Sequence, residues 1–357
     1  MRPQRVADEE VLGPYEFSHV IGRAAGTGAG LLYPLDLAVD PGAGTLHVVC
    51  RQQPRVSTWT LDGEYLSQFG HPGSVASGGA PGGQAGPVNG ELFWPASIAL
   101  DAQGAAYVAE EAPHRVQKFT TAGQFVAKWE SSGGAGQRPA GRPPRGGQRH
   151  GQFNRPAGVA VDTGEHVYVA DTLNHRVQKF TAAGRFVTQW GAHGSAEGQL
   201  DHPWGIDVDS QRGYVYVSDW RNDRIQRFDL DGHFLASFGR RGDGPGEFDR
   251  PAGVAVDREG NVAVADWGND RVQVLAPDGT PLAVLTGHGD QLSKMAQVFL
   301  DAREDIVKLR SDYGAPHPLE RFFYAPSGVA CDDTGTLYVA DTLRHRVQVY
   351  RRRAALN

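Results

Sequence analysis

Three histidines in this 357-residue chain, His114, His175 and His345, each stand directly before an arginine: Arg115, Arg176 and Arg346. Imidazole nitrogens are common zinc ligands, so three of them in register raise the question of a metal centre. Carboxylates recur in step with the same arginines. Asp171, Asp219, Asp266 and Asp341 lie five residues before Arg176, Arg224, Arg271 and Arg346, and Glu110 lies five before Arg115. One reading is a ring of charge for binding. The other is a carboxylate–guanidinium clamp on one loop of a repeated unit, and recurrence at a fixed spacing favours the clamp. Two further carboxylates, Asp36 and Asp207, occupy places where sibling segments carry Gly or Ala. Such a pair could hold a divalent cation, calcium or zinc, or serve as acid and base. In a water-filled channel the same pair would simply accept hydrogen bonds from water and backbone N–H groups, and that plainer role is favoured.

A repeat places these side chains. Aligned on a proline, six segments recur: PLDLAVD from Pro34, PASIALD from Pro95, PAGVAVD from Pro156, PWGIDVD from Pro203, PAGVAVD from Pro251 and PSGVACD from Pro326. Each ends in Asp and leads through a turn to an apolar run such as HVYVAD or TLYVAD. A short polar loop follows, then HRVQKF or DRIQRF, then a turn and a run of the FVTQW type. Short alternating runs bounded by turn residues predict four strands per unit. Repeated units of this kind predict propeller blades around a channel. The last unit lacks its fourth strand, whereas YEFSHVIG at 15–22 has that strand's pattern with no unit before it. The chain start is therefore expected to complete the last blade, which removes two open β-edges. The expectation is an all-β, six-bladed propeller over 15–353 after a tail at 1–14, with blades starting near 34, 95, 156, 203, 251 and 326. Packed sheets lie about 10 Å apart, and a zinc–nitrogen bond is about 2 Å. One ion is therefore not expected to gather His114, His175 and His345 from three blades.

YVADTLNHRVQKF (168–180), YVSDWRNDRIQRF (216–228) and YVADTLRHRVQVY (338–350) resemble the NHL repeat, with Asp, Arg and Gln in register. The resemblance extends over nearly the whole chain and implies a six-bladed NHL propeller, a fold whose members do unlike things. The first unit is degenerate: Cys50 replaces the Asp, and only Arg55 and Val56 remain of the motif that follows. Peptidylglycine-amidating lyases have a similar propeller, and their zinc histidines include ones directly after the entry proline. Leu35, Ala96, Ala157, Trp204, Ala252 and Ser327 fill those places here, which argues against a lyase of that type. Six-bladed lactonases hold calcium in the channel with several converging oxygens, for which this sequence offers two candidates, Asp36 and Asp207.

Composition sets the outer limits. With 40% hydrophobic residues the chain can bury a large core, and 47 Gly with 22 Pro suit tight turns rather than long helices. A net charge of −6 makes nucleic acid an unlikely partner for the chain as a whole. The link at 130–156 concentrates Arg138, Arg142, Arg145, Arg149 and Arg155, yet it has no aromatic residue before Phe153 on which a base could stack. The sequence shows no signal-like N-terminus and no membrane-length apolar run, and Cys50 and Cys331 make no disulfide framework. A soluble, cytoplasmic setting is expected.

The links between blades open on one face. Leu292, Met295, Phe299, Ala302, Ile306 and Leu309 fall at helical steps, predicting an amphipathic helix within an insertion at about 290–324. The residue before each entry proline varies: Tyr33, Trp94, Arg155, His202, Arg250 and Ala325. Together with Trp204, the first five bring rings and cations to one rim, a surface suited to a protein or small ligand. The leading reading is a non-catalytic binding or scaffolding propeller. The alternative is a metal-assisted hydrolase or lyase at the channel mouth, using Asp36, Asp207 and His202. A third is an RNA-binding NHL propeller.

Overall fold

The computed structural model describes residues 13–22, 30–70, 89–130, 146–289 and 322–353. These residues form six four-stranded sheets. Five blades use consecutive strands, as blade 3 does with Pro156–Val161, His166–Asp171, Arg176–Thr181 and Phe186–Trp190. Blade 6 has Pro326–Cys331, Leu337–Asp341 and Arg346–Arg352, and its outermost strand is Tyr15–Ile21 from the other end of the chain. That strand runs antiparallel to its neighbour from Tyr15↔Arg352 to Ile21↔Val347, with an irregularity between Phe17 and His19. The Arg353 N–H adds a bond to the Pro14 carbonyl at 2.7 Å. The expected helix at 290–310, most of the insertion around it, and Arg138, Arg142 and Arg145 lie outside the described residues.

The near-continuous apolar runs of the second strands follow from burial on both faces. Successive side chains of a strand point opposite ways. Val167 and Val169 pack with Tyr107, Ala109 and Val116 of blade 2. Tyr168 and Ala170 pack with Val215, Val217 and Phe228 of blade 4. Each blade is thus gripped between two apolar interfaces, and burying one side chain such as Phe228 contributes about 1.5–3 kcal/mol.

The two ends of the ring are built differently. At one end, the Asp closing each entry segment caps the turn into the second strand. Asp162 Oδ1 accepts the His166 N–H at 2.8 Å, Asp257 Oδ1 the Asn261 N–H at 2.8 Å, and Asp332 Oδ1 the Thr336 N–H at 2.9 Å. The opposite end carries the entry prolines and the turns after the second strands, among them the short 3-10 turns Thr172–Asn174, Trp220–Asn222 and Trp267–Asn269.

At this second end the recurrent Asp, Arg and Gln form one buried knot per blade. Asp171 Oδ2 accepts from Arg176 Nε (2.9 Å), Asn174 Nδ2 (2.8 Å) and Gln178 Nε2 (3.1 Å), while its Oδ1 accepts the Asn154 N–H (2.6 Å). Asp219, Asp266 and Asp341 repeat the pattern, and Glu110 does so with Arg115 and Gln117. All five carboxylates are fully buried. A buried charge has to be paired, and here each ties the turn after strand two to the incoming link. The clamp is scaffolding. In blade 1, where Cys50 replaces the Asp, Arg55 instead donates to the Gly30 carbonyl and to Gln53 Oε1.

Candidate functional site: a rim of rings and paired cations around the channel mouth

The residue before each entry proline adopts a left-handed backbone: φ is 58° at Tyr33, 55° at Trp94, 54° at Arg155, 57° at His202, 56° at Arg250 and 53° at Ala325. A non-glycine residue pays for that conformation unless its surroundings fix it. Here the preceding blade fixes it. His345 Nδ1 accepts the Tyr33 N–H (3.0 Å) and His114 Nδ1 the Arg155 N–H (2.8 Å). Asp223 Oδ1 accepts the Arg250 N–H (2.7 Å) and Asp270 Oδ1 the Ala325 N–H (2.8 Å). His175 Nδ1 stands in the same relation to the His202 N–H, at a longer 3.4 Å. The three in-register histidines therefore act at three separate blade junctions, each receiving a neighbour's amide.

With the backbone set, the side chains of these positions face the rim. Trp94 is 45% exposed. The Arg51 and Arg155 guanidinium carbons lie 4.9 and 5.9 Å from its ring centroid, and Phe93 stacks beside it at 6.5 Å. Both arginines are held by one buried carboxylate: Arg51 meets Glu111 Oε1 at 2.7 Å and Arg155 meets Glu111 Oε2 at 2.5 Å. A second group spans blades 4 and 5. Trp204 and Trp220 have centroids 6.1 Å apart, and Trp220 and Trp267 are 6.4 Å apart. Arg250 lies 4.7 Å from the Trp267 centroid and 5.9 Å from that of Trp220, with its Nε on Asp249 Oδ1 at 2.9 Å. Guanidinium over indole is a favourable contact, and the carboxylates hold the guanidinium planes in place. Tyr324, 47% exposed, sits 5.8 Å from the Arg344 guanidinium carbon. Tyr33 is half-buried.

Of the rim residues expected from sequence, Trp94 and Arg155 touch, and Trp204 and Arg250 join through Trp220. His202 belongs instead to a cluster with His175, His193 and Asp201. Trp220, Trp267, Arg51 and Glu111 were not anticipated. They follow the second strands in the register of Thr172 and Thr342, so reading that column of the repeat would have found them. Burial lowers the pKa of His175 below the usual histidine range, reinforced by His193 and His202 and by Arg221, against the pull of Asp201.

Below the rim, the entry strands line the channel. Four of the positions equivalent to Asp36 are Gly158, Gly205, Gly253 and Gly328, because the next entry strand passes close. A Cβ on Gly205 would stand 2.3 Å from the Ala252 carbonyl oxygen, and one on Gly253 2.6 Å from that of Ser327. At the other two positions a side chain bridges the blades. Asp36 Oδ2 accepts the Ile98 N–H and Ser97 Oγ accepts the Val159 N–H, both at 3.1 Å. The Ser97 hydroxyl is also bonded to the Asp36 carboxylate. Asp207 accepts the Val208 N–H (2.8 Å) and, across to blade 5, the Val256 N–H (2.8 Å). Both residues are half-buried, and loss of hydration raises each carboxylate from 3.8 to about 6 despite these bonds. Asp36 and Asp207 stand on blades 1 and 4, and among the described residues neither belongs to a group of three or more His, Cys, Asp or Glu side chains at ligand distance.

Comparisons with known proteins agree with this architecture. The NHL repeat model matches residues 153–180 and 323–350, and the SMP-30/Gluconolactonase/LRE-like region model matches 194–298. The chain is an NHL-repeat propeller of six blades. Among curated proteins it is similar to Protein brain tumor of Drosophila melanogaster, 47% identical over 57 residues, or 16% of this chain and 6% of that protein. It is also similar to RING finger protein nhl-1 of Caenorhabditis elegans, 34% identical over 90 residues, or 25% of this chain and 9% of that protein. The matched stretches are thus a small part of either relative. Among solved structures, a Bacteroides thetaiotaomicron protein of unknown function superposes with a TM-score of 0.61 at 18% identity, covering 94% of this chain and 76% of that one. A streptogramin B lyase gives 0.57 at 11% identity, covering 96% and 99%. A gluconolactonase from Xanthomonas campestris gives 0.55 at 16% identity, covering 97% and 98%. At such identities the likeness is one of fold. No helix among the described residues is long and apolar enough to cross a membrane.

Proposed function

We propose that this propeller is a non-catalytic binding module that engages a protein partner through the rim formed by Trp94, Trp204, Trp220 and Trp267. The carrying observation is the pair of ring–guanidinium groups on one face, each with its cation held by a carboxylate beneath or beside it. Rigid aromatic and arginine side chains lose little freedom on binding, which is why they dominate the energetics of protein interfaces. Because Glu111 and Asp249 offset the charge of Arg51, Arg155 and Arg250, the rim offers flat apolar faces rather than a strong positive field. That favours a protein surface over a polyanion, and the net charge of −6 supports the same choice.

The test compares proteins captured by the wild-type chain with those captured by Trp94→Ala, Trp267→Ala and a variant on the opposite end, Glu165→Ala. A partner bound through the rim is lost with either Trp variant and kept with Glu165→Ala. Capture that survives both Trp changes removes this reading.

A second reading rests on the channel. Two carboxylates titrating near pH 6 have the acidity suited to proton transfer. It predicts hydrolysis or elimination on a lactone or ester panel that disappears with Asp207→Ala, whereas the binding reading predicts no turnover.

A further inference from the structure

We propose that His175, His193, Asp201 and His202 form a zinc-binding site at the junction of blades 3 and 4, on the same end of the ring as the rim. Three imidazole nitrogens converge on one carboxylate oxygen. Asp201 Oδ1 lies 2.6 Å from His202 Nδ1, 3.4 Å from His175 Nδ1 and 3.7 Å from His193 Nε2. Around zinc, bonds of about 2.0–2.2 Å at tetrahedral angles put neighbouring ligand atoms roughly 3.3–3.5 Å apart. His175, Asp201 and His202 each offer a ligand atom within 4.8 Å of the other two, and His193 Nε2, 3.7 Å from Asp201 Oδ1, can swing in from the solvent edge as a fourth donor. His175, Asp201 and His202 are partly buried, while His193 stands at the solvent edge with 69% of its side chain exposed, leaving a path of entry.

The sister junction holds a different set of side chains at these positions. His175, His193, Asp201 and His202 follow one another at steps of 18, 8 and 1, and Asp223, Arg241, Asp249 and Arg250 repeat those steps between blades 4 and 5. The backbones correspond as well, since His193 bridges Leu200 just as Arg241 bridges Phe248. The sister set is two carboxylates with two guanidiniums, and Arg250 pairs there with Asp249. Its charge is balanced internally. At blades 3 and 4 both arginines and one aspartate are replaced by imidazoles, the neutral ligands zinc takes together with a carboxylate. The staple that is 2.7 Å at Arg250 is lengthened to 3.4 Å at His202, and zinc on His175 Nδ1 would take the lone pair that this amide shares in its absence. Arg221 is the one cation seen to act on His175 besides its histidine neighbours.

Zinc held in this way would fasten the link carrying His193, Asp201 and His202 to the turn of blade 3. It is a different site from the tryptophan rim and does not depend on the binding reading.

The experiment titrates metal-stripped full-length protein with zinc sulfate by calorimetry, and with cobalt(II) by visible absorption. His193→Arg, which copies Arg241 of the sister junction, and Asp201→Asn, which keeps the side chain's shape, are run beside the wild type. The expected result is one zinc per chain, an intense tetrahedral cobalt spectrum, and affinity in both variants weakened at least about tenfold, the lower end of what even outer-shell partners cost. Melting temperatures in EDTA should match across the three proteins, showing that the variants fold. The proposal is overturned if the wild type takes up no stoichiometric zinc, if both variants bind it as tightly, or if cobalt gives only the weak octahedral spectrum.

Discussion

Asp36→Ser gives the sharpest test of how the channel is built, because blade 2 already performs the substitution. Ser97 occupies the equivalent position and accepts the Val159 N–H at 3.1 Å, the same bond that Asp36 makes to Ile98. The serine variant therefore keeps a neutral staple and removes only the carboxylate. Loss of hydration, with a smaller push from Asp207, lifts the Asp36 pKa from 3.8 to about 6. A shift of about two units corresponds to roughly 3 kcal/mol of preference for the neutral form.

The sign follows from which state holds the proton. Between about pH 4 and 6 the folded chain retains it while the unfolded chain releases it, so stability falls as pH rises through that window. Below pH 4 both states are protonated and the penalty vanishes; above pH 6 it is complete. Asp36→Ser should thus match or trail the wild type at pH 4 and gain on it by up to about 3 kcal/mol at pH 7. Urea unfolding at pH 4, 5, 6 and 7 measures this, and all other carboxylates cancel in the difference between the two proteins. Asp207, dehydrated in the same way and raised to about 6, adds its own penalty over the same window, so Asp36→Ser with Asp207→Ala should flatten the profile further. A difference that does not change with pH, or one that grows toward acid, would falsify the account of the channel as a dehydrated place for charge.

Two other outcomes follow from the fold. Arg271→Met leaves Asp266 buried without its guanidinium and should cost about 3–5 kcal/mol in chemical unfolding, the range for stranding one member of a buried pair. Removing residues 1–22 takes away the strand paired with Arg346–Arg352 and leaves that strand's edge bare, so the truncated protein should self-associate in ultracentrifugation and lose its single cooperative transition.

The architecture was readable because it is written in local and repeated signals. The entry prolines set the register, and the alternating runs give strands. The unaccompanied YEFSHVIG segment matched the strand missing after Arg346–Arg352, which is where Tyr15–Ile21 pairs. The Asp–Arg–Gln clamp could also be assigned from its recurrence. What the sequence did not disclose were contacts between blades. His114, His175 and His345 suggest metal ligands until the left-handed backbone at Arg155, His202 and Tyr33 is seen to present an amide to each of them. Nothing near Asp201 in the chain reveals that a turn 26 residues earlier brings His175 against it, a separation that only the stacking of blades closes. The rim was half visible: Arg155 and Arg250 were legible, but not Arg51 or the carboxylates that offset them.

Those carboxylates change what the rim can select. Unpaired, Arg51, Arg155 and Arg250 would attract any anion and would read phosphate before shape. Glu111, buried and shared by two arginines beside Trp94, cancels one of their two charges and holds both guanidiniums, while Trp94 stays 45% exposed. A phosphate approaching Trp94 would have to draw both arginines off a carboxylate that cannot itself be rehydrated, since Glu111 is 2% exposed. An apolar or aromatic group meets no such cost, because it can pack on the exposed parts of Phe93 and Trp94 with the ion pairs intact. Blade-to-blade variation on this face has therefore turned charge inward and rings outward, and a partner is selected by the shape of what it lays against Trp94 and the Trp204–Trp267 group.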